Sequence, residues 1–301
     1  MEINSINSHI ASELNISSDD LYNIDAKTMS QYLVRCLYQR GVLVINFDRA
    51  LTWDEIYNFN SYFGIPWTDK NYFWNAEHFL ALPSDNSKFI TYFSNKSTQS
   101  KRFKNMKDEL GWHRDCHYFG HGLRFPIRSL YSLKIPDDKI GRTWFCLDRD
   151  LYEVLTPEEQ EFYSGCSIAI QNVYRPGAPH SVRPLVKKHF WTNKSSLELN
   201  SFLCYKQTDL TGGTNTLQDG PFIVKLLKDG QQPSTDHIMN LWKKISNRKT
   251  HTYKHTWKPN QIVIWDNTSV LHRRDDISGL NGAERAFIRM NMKHFNPEAS
   301  I

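Results

Sequence analysis

The sequence predicts a mainly β protein that carries a few helices on the outside of its sheets. From about residue 85 onward, short apolar or alternating runs are separated by turn residues, which is typical of a sandwich or barrel. Aromatic residues make up 13% of the 301 residues, and pleated sheets accept aromatic side chains readily. Since 40% of the residues are hydrophobic, the chain can bury a sizeable core without disulfides or metals, and intrinsic disorder is excluded.

The N-terminal part predicts a helix, a strand and a second helix. Residues 24–40 carry apolar side chains at helical spacing, and Gly41 follows them as a C-terminal glycine. The apolar run 42–47 predicts a buried strand. Thr52 predicts the start of the second helix, because Glu55 three residues later completes a capping box.

The rest of the chain predicts a series of strands that two helices interrupt. No internal repeat or low-complexity linker divides the sequence, so we expect a single domain over residues 1–301, with a polar N-terminal extension over 1–24. The predicted strands are 89–93, 129–135, 143–147, 167–173, 202–205, 262–265 and 285–292, and the predicted helices are 157–163 and 235–247.

The net charge of +5 is concentrated in two basic clusters, at residues 101–107 and 243–258. The positive electrostatic potential of such clusters favours an anionic partner, which could be a nucleic acid, an acidic membrane or a small carboxylate. The alternative is that the clusters are ordinary solvent-exposed surfaces. The five cysteines form no Cys-x-x-Cys pair, which fits a reducing compartment. Neither a signal peptide nor a membrane-spanning apolar run is recognisable, so we expect a cytoplasmic protein without a membrane partner.

A histidine and a carboxylate two residues apart form the first candidate site. On a strand or at its end, His113 and Asp115 point to the same side, so both can present a ligand atom to one metal ion. The tripeptide His113-Arg114-Asp115 also matches the start of the catalytic-loop motif of protein kinases. However, Gly120 occupies the position where that motif needs an asparagine, and no glycine-rich phosphate loop is present. A helical zinc site built from His113, His117 and His121 is the other alternative, which the neighbouring glycines oppose.

A second histidine follows the strongly apolar run 262–265. An Asp-Asn turn separates this run from His272, so the strand would deliver His272 just past its end. Two histidines and one carboxylate on one metal, with three positions left open, form the facial triad of non-haem iron(II) oxygenases. Taken alone, His272 could equally be a hydrogen-bonded structural histidine.

Two arginines occupy one face of the last predicted strand. Arg285, Phe287, Arg289 and Asn291 alternate with apolar residues that would pack outward. Two guanidinium groups inside a barrel are costly unless each meets an anion, and a bound dicarboxylic acid would satisfy one of them. The alternative is a solvent-exposed strand face with ordinary arginines.

Together these stretches resemble the TauD/TfdA family of Fe(II)- and 2-oxoglutarate-dependent dioxygenases. The resemblance covers about residues 25–295 and extends to the order of the motifs. The interval between His272 and Arg285 is longer than is usual in the family, which leaves Arg289 as an alternative cosubstrate anchor. The motifs are Trp112-His113-x-Asp115, Gly141-Arg142-Thr143 with a helix over 151–155 after the next strand, Trp265-Asp266-Asn267 ahead of His272, and Arg285 with Arg289.

The resemblance implies a double-stranded β-helix, the jelly-roll core of cupin-like proteins, together with Fe(II), 2-oxoglutarate and O2. It implies that His113, Asp115 and His272 bind Fe(II), and it disfavours a halogenase, which needs the Asp115 position vacant. Thr143 and Arg285 would hold the distal carboxylate of 2-oxoglutarate.

The substrate is expected to meet the segments around the metal. Arg289 would lie near the metal-chelating end of the cosubstrate or near the substrate. A place in the hydrophobic core is the alternative for the aromatic residues of these segments. The substrate contacts that we expect are Phe73, His117, Tyr118 and Arg289, with Tyr92, Arg175 and Arg183 as further candidates.

The resulting hypothesis is a dioxygenase that hydroxylates or desaturates a small, anionic or amino-acid-like molecule and releases succinate and CO2. A nucleic-acid demethylase of the AlkB kind is an alternative, but that group spaces its two arginines six apart, whereas Arg285 and Arg289 are four apart. A non-catalytic iron- or 2-oxoacid-binding protein is the non-enzyme alternative. We therefore expect a small-molecule substrate and no nucleic-acid partner, and a homo-oligomer stays open.

Overall fold

A computed structural model describes residues 2–4, 9–67, 89–96, 110–115, 126–136, 139–172, 181–198, 217–219, 222–231, 233, 237, 240–241 and 252–293. Strands dominate this part of the chain, as predicted, and within it they form four sheets. In chain order the strands are β1 Glu2–Asn4, β2 Ala11–Ile16, β3 Val42–Phe47, β4 Ile65–Trp67, β5 Thr91–Ser94, β6 Leu110–His113, β7 Ile127–Lys134, β8 Thr143–Leu147, β9 Cys166–Asn172, β10 Ser181–Pro184, β11 Val186–Lys188, β12 Ser195–Leu197, β13 Leu217–Asp219, β14 Phe222–Lys228, β15 Thr252–His255, β16 Gln261–Asp266, β17 Val270–Arg274 and β18 Ala286–Lys293.

Helices flank the sheets. They are α1 Asp20–Asn23, α2 Ala26–Arg40, α3 Trp53–Ser61, α4 Asp148–Tyr152 and α5 Pro157–Ser164, with a 3-10 turn at Ser278–Leu280. Gly41 ends α2 with a φ of +98°, and its amide donates to the Leu37 carbonyl oxygen. The predicted capping box of α3 is present, because the Thr52 hydroxyl accepts from the Glu55 amide and the Glu55 carboxylate accepts from the Thr52 amide. Among the described residues, no helix has the length and apolar character that crossing a membrane requires.

The large sheet carries α2 and α3 on its outer face. Its eight strands follow the order β1-β2-β3-β16-β7-β18-β4, with β5 paired to β18. Alternate residues of the central strands, such as Ile45, Ile264 and Met290, lie in one buried cluster with Leu33 and Phe59 of the helices. The other face of the same strands therefore points to the interior of the protein.

A second sheet packs against this inner face. Its four strands follow the order β15-β8-β17-β6. Val44 and Val263 of the large sheet share a buried cluster with Phe145, Leu147 and Val270 of the second sheet. Two facing sheets joined by alternating apolar side chains give the sandwich of the predicted double-stranded β-helix.

A further layer covers the outer face of the second sheet. It contains a sheet of order β10-β9-β14-β13, the hairpin of β11 and β12, and the helices α4 and α5. Cys146 and Leu271 point outward from the second sheet and pack with Leu151, Tyr163 and Leu226 of this layer. The second sheet is thus held on both faces, and the side chains on its inner face have fixed positions.

The N-terminal residues contribute more structure than the sequence indicated. Residues 11–16, which we assigned to a polar extension over 1–24, form β2 and run parallel to β3. Leu14 and Ile16 are fully buried against the helices. Polar residues alternate with these two side chains, so the run lacks a continuous apolar signal.

Two predicted elements lie outside the described residues, namely the strand over 202–205 and most of the helix over 235–247. The helix expected over 151–155 begins earlier and spans Asp148–Tyr152. The single domain over 1–301 stays a prediction.

Candidate active site

Two histidines and a carboxylate converge where β6 pairs with β17. His113 is the last residue of β6, and it is the direct partner of His272 in this antiparallel pairing. Asp115 lies in the turn that follows β6. The Nε2 atom of His113 lies 3.8 Å from Asp115 Oδ1, and the Nε2 atom of His272 lies 3.5 Å from Asp115 Oδ2. The candidate ligand atoms all lie within 4.8 Å of one another, so one metal ion could contact all three.

The turn between β16 and β17 positions His272. His272 lies within β17, whereas the sequence predicted it just past the end of a strand. The buried carboxylate of Asp266 closes this turn by accepting hydrogen bonds from the amide and hydroxyl of Thr268, at 2.9 and 2.6 Å. The Asn267 side-chain amide donates to the backbone carbonyl of Asp115 at 3.0 Å. The predicted Asp-Asn motif thus fixes the positions of two candidate ligands.

Asp115 is held as a carboxylate by the charges around it. Burial by itself raises the pKa of Asp115, but the positive charge of Arg128, followed by His272 and His113, lowers this pKa well below its usual value. The Arg128 guanidinium, with Nη1 2.5 Å from Asp115 Oδ2, reaches the carboxylate from β7 of the large sheet. The sequence analysis did not identify Arg128, because its position beside Asp115 depends on the pairing of β7 with strands that are distant in the sequence.

A buried ionic network lies behind the metal-site segment. Arg114, between the two candidate ligands, is paired with Asp148, and its Nη1 lies 3.6 Å from Glu198. Glu198 is also paired with Arg183 at 3.2 Å and with Lys187. Apart from Lys187, these side chains are at most 2% exposed. Such a network fixes the main chain around Arg114, and therefore also the direction of the neighbouring ligands.

Thr143 and Arg285 offer donors that no described residue uses. Thr143 Oγ1 accepts a hydrogen bond from the Trp257 indole at 3.0 Å, so its own hydrogen remains available to an acceptor. Arg285 is buried, and its Nη2 donates to the Gly141 carbonyl at 2.7 Å. The Asn95 side chain accepts from the Arg285 amide at 2.8 Å. Among the described residues Arg285 Nε has no hydrogen-bond partner, which a bound anion would supply.

The predicted Gly-Arg-Thr motif makes room for the Arg285 side chain. Gly141 has a φ of +68°, and a Cβ built there would lie 2.6 Å from Ile277 and 3.1 Å from Arg285 Nε. Burial, together with the positive charge of Arg274, lowers the pKa of Arg285 to about 9. A buried guanidinium with a second positive charge nearby favours the binding of an anion.

Arg289 lies on the inner face of the large sheet, as the alternation along β18 predicts. Its guanidinium carbon is 4.4 Å from the centroid of the Phe93 ring on the paired strand β5. Phe287, on the same face, belongs to the cluster between the two sheets. Ile288 and Met290 lie in the helix-side cluster instead. The predicted division of this strand into an arginine face and an apolar face is therefore present.

The structure adds two residues to the surroundings of Thr143. His255 on β15 and Arg274 on β17 are both direct partners of Thr143 on β8. His255 is buried, its Nδ1 lies 3.0 Å from the Tyr253 hydroxyl, and its Nε2 has no hydrogen-bond partner among the described residues. Because Arg274 comes two residues after His272, strand alternation could have predicted it on the same face.

Two of the weaker substrate candidates face elsewhere. Tyr92 donates to Glu284 at 2.7 Å and packs against the helix-side core of the large sheet. Arg183 is paired with Glu198 in the buried network described above. Both lack the position that a substrate contact requires, because strand alternation turns Tyr92 to the outer face and the ionic network holds Arg183. Four other candidates lie outside the described residues, namely Phe73, His117, Tyr118 and Arg175.

The sequence comparison decides the family. Over residues 2–291 the chain matches the family described as "Taurine catabolism dioxygenase TauD, TfdA family". The chain belongs to this family. This TauD/TfdA member is 22% identical to pentalenolactone F synthase of Streptomyces arenae over 207 residues, which cover 63% of this chain and 63% of that relative.

Solved structures agree with the fold of this TauD/TfdA member. A protein from Burkholderia xenovorans, assigned as an alpha-ketoglutarate-dependent taurine dioxygenase, superposes with a TM-score of 0.70 at 18% identity and covers 98% of this chain and 93% of its own. AAD-2 in complex with Mn(II) and N-oxalylglycine superposes with a TM-score of 0.65 at 16% identity and covers 98% of both chains.

These matches confirm the predicted family and the predicted jelly-roll fold. The predicted enzyme class, a dioxygenase among the oxidoreductases, agrees with the family. The aligned region spans less than two thirds of the length of pentalenolactone F synthase. The match to this family does not favour the AlkB-like demethylase.

Proposed function

We propose that the protein is an Fe(II)- and 2-oxoglutarate-dependent dioxygenase that oxidises a small, anionic or amino-acid-like molecule, with succinate and CO2 as coproducts. The observation that carries the proposal is the convergence of His113, Asp115 and His272, whose ligand atoms lie within 4.8 Å of one another. Membership of the TauD/TfdA family supports it.

The donor set fits Fe(II). Two imidazole nitrogens and one carboxylate on one side of the ion are the facial arrangement of non-haem iron oxygenases, and they leave three positions open. The low pKa of Asp115 keeps that ligand anionic, which offsets part of the metal charge. When bound, Fe(II) with 2-oxoglutarate and O2 would supply the oxidising chemistry, which amino-acid side chains lack.

Thr143 and Arg285 are suited to hold the distal carboxylate of 2-oxoglutarate. Arg285 Nε and the Thr143 hydroxyl hydrogen are the available donors, and the contact of Arg285 with Gly141 brings the guanidinium to the start of β8. Charge-assisted hydrogen bonds of this kind both bind a carboxylate and fix its orientation. The same geometry favours Arg285 over Arg289 as the cosubstrate anchor, since Arg289 lies over Phe93 on the other sheet.

The position of Arg289 favours a substrate that carries an acidic group. Its guanidinium faces the interior from the large sheet, opposite the sheet that carries the histidines. A guanidinium in such a place stabilises a bound carboxylate, sulfonate or phosphate group. Whether hydroxylation or desaturation follows depends on how the substrate is oriented by the residues around it.

Anaerobic reconstitution tests the proposal. Fe(II) and 2-oxoglutarate together should give a visible charge-transfer band, and a screen of small acids should find substrates that stimulate succinate release. His113→Ala should abolish both signals, whereas the control His9→Ala, which changes a histidine paired with Asp150, should leave them intact. A normal band in His113→Ala would contradict the proposed metal site.

A second assay addresses the alternatives. Salt-sensitive binding of single-stranded DNA or RNA, accompanied by demethylation, would favour the AlkB-like enzyme. Tight binding of iron and 2-oxoglutarate without succinate release, across a broad set of small acids, would favour a non-catalytic binder.

A further inference from the structure

Arg128 contacts the candidate metal ligand Asp115 from the opposite sheet. We infer that Arg128 is a positioning residue that restricts Asp115 to one metal-binding oxygen and keeps open the coordination position that the second oxygen would take. The inference rests on the proposed function, since it presumes the metal site of His113, Asp115 and His272.

The strand register places Arg128 on the inner face of the large sheet. Arg128 on β7 is the direct partner of Trp265 on β16 and of Asn291 on β18. Trp265 belongs to the buried cluster between the two sheets, and its ring centroid is 5.0 Å from that of His272. Side chains of paired residues point to the same face, so Arg128 also extends towards the histidines.

The contact between Arg128 and Asp115 is short, and its Arg128 side is buried. Arg128 Nη1 lies 2.5 Å from Asp115 Oδ2, and the Arg128 side chain is only 1% exposed. A buried guanidinium strongly retains an anionic partner, because an uncompensated charge in this environment is costly. The main chain of Asp115 is held separately by the Asn267 amide. Arg128 therefore restricts the rotation of the Asp115 carboxylate.

This restriction determines how many oxygens Asp115 can offer. Asp115 Oδ2, the oxygen that contacts Arg128, also faces His272 Nε2 at 3.5 Å, while Oδ1 faces His113 Nε2 at 3.8 Å. If Oδ2 bound the metal together with Oδ1, the metal cation would lie close to the Arg128 guanidinium, and the repulsion between the two positive charges would oppose this arrangement. A single-oxygen ligand leaves three positions open, whereas a two-oxygen ligand leaves only two, both of which a chelating 2-oxoacid would occupy.

A general charge effect would give a different result from positioning. Arg289 is a matched control, because it is a second arginine on the inner face of the large sheet and its guanidinium lies over Phe93. Replacing either Arg128 or Arg289 with Met removes one positive charge from this region. Only the replacement of Arg128 should change the number of oxygens that Asp115 gives to the metal.

The test uses the full chain loaded with Mn(II) alone. Oxygen-17-labelled water broadens the EPR lines of bound Mn(II) in proportion to the number of coordinated waters, so it counts open positions without any turnover. We expect Arg128→Met to bind one water fewer than wild type, since Asp115 would then give both oxygens to the metal. Arg289→Met should retain the wild-type number of waters, and Arg128→Lys should lie between wild type and Arg128→Met.

The outcomes separate this inference from the proposed function. Equal water numbers in wild type and Arg128→Met would overturn the positioning role, and so would an equal loss of water in Arg289→Met. Absence of His113-dependent Mn(II) binding in the wild type would overturn the proposed function itself. Should Arg128→Met fail to fold in a thermal melt, Arg128→Gln serves as the second variant, since its shorter side chain also leaves Asp115 without the guanidinium contact.

Discussion

His113 and His272 are direct partners across β6 and β17, with ring centroids 4.2 Å apart, although they are far apart in the sequence. The ring of His272 is enclosed by Trp265 at 5.0 Å and Phe145 at 6.4 Å. Strand pairing therefore positions both histidines, and packing further fixes the ring of His272. Asp115 completes the group from the adjoining turn.

Replacing His272 with Ala should reduce Fe(II) affinity by roughly 100-fold or more, because a direct ligand is lost and even changes behind a ligand cost about 10–100-fold. The free energy of unfolding of the metal-free protein should change only modestly, since Trp265 and Phe145 still pack in the core. Anaerobic titration with Fe(II) measures the affinity. A His272→Ala variant that binds Fe(II) as tightly as the control His9→Ala would exclude His272 as a ligand.

Gly141→Ala should weaken 2-oxoglutarate binding and leave metal affinity unchanged. The new Cβ would lie 2.6 Å from Ile277 and 3.1 Å from Arg285 Nε, so the guanidinium must move. The positive φ adds a backbone cost of about 1–3 kcal/mol. Gly282→Ala is the matched control, because its φ is also positive but no atom lies within 4 Å of its Cβ. If the KM for 2-oxoglutarate rose in both variants, backbone strain and not displacement of Arg285 would explain the effect.

Thr143→Val should raise the KM for 2-oxoglutarate roughly 10-fold or more, because a hydrogen bond to a charged group contributes about 1.5–3 kcal/mol. It should also destabilise the fold by about 1–3 kcal/mol, since the Trp257 indole loses its buried acceptor. Thr143→Ser keeps the hydroxyl and should restore both quantities. Steady-state kinetics and urea unfolding measure them, and an unchanged KM in Thr143→Val would remove Thr143 from the cosubstrate site.

The fold was predictable in segments whose residue pattern is determined only by packing in the core. The run Val42–Phe47 is buried along nearly its whole length, and α3 begins at a complete capping box, so both carry strong local signals. The short strands β6, β15 and β17 were missed. Their inner faces carry residues such as His113, His255 and Arg274, whose polarity serves the site and interrupts the apolar alternation.

The candidate site was predictable only where its residues form local motifs. His113 and Asp115 are recognisable because strand alternation puts residues two apart on one side. Arg128 and His255 have no such signal, since their positions depend on the register between strands distant in sequence. A single sequence does not give this register, and the ion pair between Arg128 and Asp115 depends on it.

Glu198→Gln should destabilise the fold by about 3–5 kcal/mol, because it removes the charge that Arg114 and Arg183 share in a buried place. It should also lower Fe(II) affinity by about 10-fold or more, since Arg114 lies between two candidate ligands. Glu153→Gln, which breaks the exposed pair with Lys194, should cost less than about 1 kcal/mol and leave affinity unchanged. If a folded Glu198→Gln variant bound Fe(II) with wild-type affinity, the ionic network would have a structural role only.

His255 should make the protein less stable in mild acid. Burial lowers the pKa of His255 to about 3, and the positive charges of Lys258 and Arg285 act in the same direction. Between about pH 6.5 and pH 3 the unfolded chain therefore binds a proton that the folded protein excludes, so stability falls as the pH falls through this window. Each pH unit below about 6.5 lowers the free energy of unfolding by about 1.4 kcal/mol, which amounts to about 2 kcal/mol at pH 5.

Urea unfolding of metal-free wild type and His255→Phe at pH 7, 6 and 5 isolates this contribution, since all other groups are common to both proteins. Between pH 7 and pH 5 the free energy of unfolding of wild type should fall by about 2 kcal/mol relative to that of His255→Phe, and parallel curves would show that His255 titrates normally in the folded protein.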